Sequence, residues 1–78
     1  MKNKEYNGWS NYETWNVSLW LNNEEGYYNM AQDLKWKAGE IEGLVTDIFN
    51  EFNGFGDLES SRELDKVDWN EIEKNNTD

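Results

Sequence analysis

Cysteine, histidine and proline are absent from the 78 residues, and arginine occurs once, as Arg62. Without cysteine there are no disulfides, thiolate zinc sites or thiol nucleophiles; without histidine the usual general base at neutral pH is gone. No apolar run approaches the roughly 20 residues that span a bilayer. The first residues, MKNKEYNG, place no apolar segment behind their lysines, so no signal peptide is expected and a soluble, cytoplasmic protein is. At this length a single domain is expected, with a core near the lower limit for unaided folding.

Positive charge is also scarce. The formal charge is −10, and its distribution is uneven. Residues 1–37 carry five acids against four lysines, net −1, whereas residues 38–78 carry twelve acids against Arg62, Lys66 and Lys74, net −9. A field of that sign repels nucleic acid and anionic lipid and attracts basic surfaces. Direct nucleic-acid binding and membrane binding are therefore not expected, and a protein partner with a basic surface is. The plainer reading of the acidity is solubility.

Aromatic residues are concentrated instead. The stretch from Trp9 to Tyr28, WSNYETWNVSLWLNNEEGYY, holds six of the twelve Trp, Tyr and Phe residues. Ser10 and Glu13 have the capping-box spacing, which predicts a helix over about 11–22. Tyr12, Trp15 and Leu19 would share one face and Val17, Trp20 and Leu21 another, so this helix must be covered on two sides. Asn23 suits the cap of a second helix over about 24–37, with Glu24 and Glu25 in its first turn. Tyr27, Met30, Ala31 and Leu34 would form its buried stripe, with Tyr28 and Trp36 on the flanks. Gly26 in that first turn suggests close packing, and Gly39 is placed to close the helix as a left-handed cap, although a helix continuing through it is compatible with the pattern.

Ile41, Leu44, Val45, Ile48, Phe49 and Phe52 repeat at helical spacing and predict a third helix over about 40–53. Its other face carries Glu40, Glu42, Asp47 and Glu51 and no base. Asn53, Gly54 and Gly56 end it in a turn. The acids from 50 to 59 lack the EF-hand spacing, so no metal is expected there. Ser60 and Ser61 can start a short helix over about 60–66 with Leu64 inward and Leu58 tucked in before it. Val67-Asp68-Trp69-Asn70-Glu71-Ile72 combines a capping box with a hydrophobic staple and predicts a last helix over about 69–74. The architecture is expected to be an all-α small bundle over residues 9–74, with a flexible tail at 1–8 and a frayed one at 75–78.

Asn11-Tyr12-Glu13-Thr14-Trp15, followed by Ser18-Leu19-Trp20-Leu21 and Asn23-Glu24-Glu25-Gly26-Tyr27, resembles a group of small uncharacterised proteins of phages, plasmids and bacteria. These open on an NYETW-type box, continue into LW(L/I)-x-N-(D/E)-EG-x-Y and close on a VDWxEI ending, here Val67 to Ile72. Residues 57–66 are more acidic here than their counterparts. The resemblance implies a helical domain in a mobile-element setting and supplies no activity.

Two surfaces are candidates for binding. The first is acidic: Glu40, Asp47 and Glu51 on the third helix, joined by Asp57, Glu59, Glu63 and Asp65 from the segment after it. It suits an inhibitor of a host defence protein, of the restriction or CRISPR kind, whose carboxylates stand in for phosphates. The second is aromatic: Trp9, Trp20 and Trp36, each readable either as core edge or as partner contact, would serve a structural or regulatory interaction module. Trp15, Leu19 and Tyr27 are expected in the core instead. The many paired carboxylates carry little information in so acidic a chain, and glycosidase chemistry needs a cleft and a carboxyl of raised pKa. No catalytic residue, metal or cofactor is expected.

Overall fold

The computed structural model describes residues 8–77. Residues 1–7 of the expected N-terminal tail, and Asp78, lie outside the described residues. The described residues form an all-α bundle of five helices: α1 (Tyr12–Asn23), α2 (Glu25–Asp33), α3 (Ala38–Phe52), α4 (Ser61–Leu64) and α5 (Trp69–Thr77). α1 packs on both α2 and α5, and α5 packs in turn on α3.

The core is made by Val17 and Leu21 of α1, Ala31 of α2, Ile41 and Val45 of α3, Leu58 from the loop and Ile72 of α5, all fully buried. Three polar side chains of α1, Thr14, Asn16 and Ser18, are buried with them. No buried side-chain nitrogen or oxygen among the described residues lacks a hydrogen bond, as burial of polar groups requires.

α1 begins one residue later than the capping box predicts. Asn11, in extended conformation, is the cap, and its side chain accepts from the Thr14 N–H at 2.8 Å. Ser10 is drawn away: its N–H and hydroxyl both donate to Glu71 Oε1 of α5, the hydroxyl at 2.7 Å. The apolar faces also regroup. Thr14, Val17, Ser18 and Leu21 face the core, while Trp15 and Leu19, expected there, are half-buried. Tyr27, expected with them, is half-buried and packs against the core. Both buried hydroxyls are paired: Thr14 Oγ1 accepts from the Asp68 N–H at 2.8 Å and Ser18 Oγ from the Asn22 amide at 3.3 Å.

Glu24, rather than Asn23, joins α1 to α2. Its backbone is extended, its N–H closes on the Trp20 carbonyl, and its side chain makes no cap bond. α2 then stops at Asp33, four residues short of expectation, because Lys35 and Trp36 are both left-handed, at φ 57° and 54°. That turn swings Trp36 into the core, where it is 3% exposed and donates its indole N–H to Gln32 Oε1 at 3.1 Å. Two left-handed residues cost about 2–4 kcal/mol together. Burying an indole, at about 25 cal/mol per Å² over about 150–250 Å², returns about 4–6 kcal/mol and offsets this. Gly39 is consequently not a cap but part of the first turn of α3. Among the described residues nothing packs within 4 Å of where a Gly26 side chain would start, so they show no close packing there. Met30, assigned to the buried stripe of α2, is exposed.

α3 buries Ile41, Val45, Ile48 and Phe49 as its spacing predicts, but Phe52 is 66% exposed. Asn53, left-handed at φ 58°, closes the helix with its N–H on the Phe49 carbonyl. At the other end Lys37 offers no side-chain cap; Glu73 of α5 supplies one by accepting from the Ala38 N–H at 2.9 Å. The chain then makes a tight hairpin turn in which Phe55 and Leu58 exchange both backbone hydrogen bonds around Gly56 and Asp57.

α4 forms as a capped single turn, with the reciprocal Ser60–Glu63 box and Leu64 inward. At α5 only half of the expected box forms. Asp68 Oδ1 accepts from the Glu71 N–H at 3.1 Å, but the Asp68 N–H donates to Thr14 Oγ1 at 2.8 Å while the Glu71 carboxylate reaches Ser10. α5 also continues through residues 75–77, which were expected to fray. Asn75, Asn76 and Thr77 each donate a side-chain hydrogen bond to the carbonyl four residues back.

Candidate functional site

The second covered side of α1 is polar and aromatic. Tyr12, Asn16 and Trp20 recur every four residues, so they line one edge of the helix, and the 55–58 turn sits against it. Asn16 is fully buried, donates to Asp57 Oδ2 at 3.2 Å and accepts from the Asp57 N–H at 3.1 Å. Tyr12 donates its hydroxyl to the same carboxylate oxygen at 3.0 Å. Partial burial first, then that hydrogen bond and the negative charges of Asp57, Glu63 and Glu13, hold the Tyr12 phenol above its usual value of 10.0. Trp20 lies over Gly56, where a β-carbon would collide with the indole and stand 2.6 Å from Asn16 Oδ1. Gly56 has φ 61° as the first central residue of the turn, which also favours glycine.

Asn11 extends the pattern by donating its amide to the Lys66 carbonyl at 2.8 Å, beside the Thr14–Asp68 bond. The NYETW box is therefore a set of long-range ties: it binds α1 to the 55–58 turn and to the approach of α5.

The acidic candidates divide. Glu40, Asp47 and Glu51 are all exposed along α3, and Ala38–Phe52 contains no Lys or Arg. Glu40 and Asp47 border a depression of about 370 Å³ floored by Leu34 and Leu44, where Gly39 and Gly43 leave the helix backbone open. Glu59 and Asp65 are exposed on the loop and at the end of α4. Asp57, although exposed, already accepts from Tyr12 and Asn16. Glu63 is half-buried and accepts from the Glu59 and Ser60 N–H groups at 2.9 and 3.2 Å. Both carboxylates are thus engaged by hydrogen bonds within the chain, Asp57 while remaining exposed.

The aromatic candidates divide as well. Trp36 is core, which removes it from any binding surface, and Trp9 is half-buried against the core. Trp20 borders a groove of about 510 Å³ whose apolar lining continues through Tyr27, Ile48, Phe52, Phe55 and Leu58, with Glu24 and Glu59 at its rim. The groove was not foreseen from the sequence. Phe52 falls on the apolar stripe of α3, yet as the last helical residue it has no following turn to cover it. Among the described residues no three or more Asp or Glu side chains come together to hold a metal ion, and no helix is long and apolar enough to cross a membrane.

One family model matches the chain over residues 2–78, spanning both the NYETW box and the VDW ending. The chain belongs to DUF7249, a family of unknown function. No curated protein and no solved structure matches it. DUF7249 membership thus supports a domain of unknown function, in which Asn11 and Thr14, at the start of α1, are tied to Lys66 and Asp68 before α5.

Proposed function

We propose that this member of DUF7249 is a non-enzymatic acidic binding protein that docks on a basic surface of a protein partner, its carboxylates standing where phosphates would. The observation that carries the reading is the outward side of α3, where Glu40, Asp47 and Glu51 are exposed on a helix without a base. They are spaced about 10.5 Å and 6 Å apart along the axis at 1.5 Å per residue. Glu59 and Asp65 add exposed charge of the same sign from the following segment. The setting that fits is a phage or other mobile element in a host cytoplasm, with a nucleic-acid-binding defence protein as the partner inhibited.

A second reading, an interaction module led by aromatic side chains, is favoured by the exposure of Phe52 beside Trp20. Salt separates the two. Capture of partners from a bacterial lysate at about 50 and 200 mM salt should yield a nucleic-acid-binding protein lost at the higher concentration, because screening weakens exposed charge pairs. Asp47→Lys with Glu51→Lys should abolish that capture. A captured partner lacking a basic surface, or full capture by the double variant, would end the carboxylate reading.

A further inference from the structure

At 66% exposure Phe52 is the most exposed large apolar side chain among the described residues. It stands at the edge of the groove lined by Trp20 and Phe55, a volume of about 510 Å³, within the roughly 300–1,000 Å³ of clefts that take ligands. The charge around it has one sign. Glu24 and Glu59 stand at the rim, and among the described residues no basic one lines the groove. α3 ends here with no basic residue in its last turn, so the negative end of its dipole adds to the same field.

We infer that the groove receives a short segment of a basic protein partner: an apolar side chain seated against Phe52, Trp20 and Phe55, flanked by lysine or arginine that meets Glu24 and Glu59. Charge complementarity selects this occupant. Nucleic acid and anionic lipid are repelled, and a second copy would bring another chain of charge −10 against the same rim. The inference rests on the basic-partner reading but puts the anchoring contact in the groove rather than on the outward side of α3.

The test uses the whole chain and three synthetic peptides, followed by nitrogen-edited NMR. One peptide has Leu-Phe between lysine pairs, one has Leu-Phe between glutamate pairs, and one has Ser-Ser between lysine pairs. The lysine-flanked Leu-Phe peptide should shift the Trp20 indole N–H and the Gly54 and Gly56 amides, and bind at least about tenfold more tightly than either control. Phe52→Ser and Glu59→Gln should each weaken it several-fold, with unchanged spectra away from the groove because both side chains are exposed. Equal binding of the Ser-Ser peptide, or shifts confined to residues 40–51, would overturn the groove and leave the basic-partner reading standing. Equal binding of the glutamate-flanked peptide would overturn both. Concentration-dependent shifts at the groove without peptide would make a second copy the occupant and also overturn the inference.

Discussion

Asn16 and Gly56 illustrate how much of this small fold rests on single residues. Asn16 satisfies both the Asp57 carboxylate and the Asp57 N–H from a fully buried position, and Gly56 lets Trp20 close over the turn. Gly56→Ala puts a β-carbon into the Trp20 ring at a left-handed φ, two separate faults. We expect a loss of about 1–3 kcal/mol, read as a lower denaturant midpoint with an unchanged slope. Tyr12 adds a pH dependence. Its raised phenol pKa means the folded state holds that proton more tightly than the unfolded chain. The stability it contributes is whole below about pH 10 and is lost as pH rises through the folded-state value. Urea midpoints of Tyr12→Phe should accordingly fall less steeply than those of the wild type as pH rises above about 10.

Among the helices, the ends are decided by partners as often as by local capping. Glu73 caps α3 from α5, Glu71 takes Ser10 away from its box, and Thr14 takes the Asp68 N–H. Asp68 still caps the first turn of α5 through Glu71 N–H. Asp68→Ala should cost about 0.5–2 kcal/mol and speed amide exchange over residues 69–72. Unchanged exchange there would mean that the Thr14 tie alone holds the start of α5.

For the molecule as a whole, a charge of −10 on 78 residues places like charges close together. Self-repulsion should make the wild type more stable in added salt, the opposite of its expected effect on a complex with a basic partner. The Asp47→Lys, Glu51→Lys double variant reduces the charge to −6, since each reversal removes two negative units. Both side chains are exposed on α3, so thermal unfolding should shift by no more than about 0.5 kcal/mol per site and the salt dependence should flatten. A collapse of the melting transition would show that these carboxylates serve the fold.

The sequence by itself determined the helical class, the stripe of α3 from Ile41 to Phe49, a short helix started at Ser60–Ser61, the Val67–Ile72 staple and the acidity of the second half. Each is a local property, set by spacing within a turn or two or by composition. Tertiary structure decided what depends on distant neighbours. On α1, Val17 and Leu21 are buried as their expected face requires, but Thr14 and Ser18 take the core positions expected for Trp15 and Leu19, Thr14 because its hydroxyl meets the Asp68 N–H from the approach to α5. Trp36 moved inside because a left-handed turn ends α2 early. Asp57, still exposed, and half-buried Glu63 were tied into the fold by Tyr12, Asn16 and backbone N–H groups, since donors in reach hold a carboxylate in place. Phe52 was left at an open groove because a helical period continues on paper past the residue at which the helix, and its cover, stops.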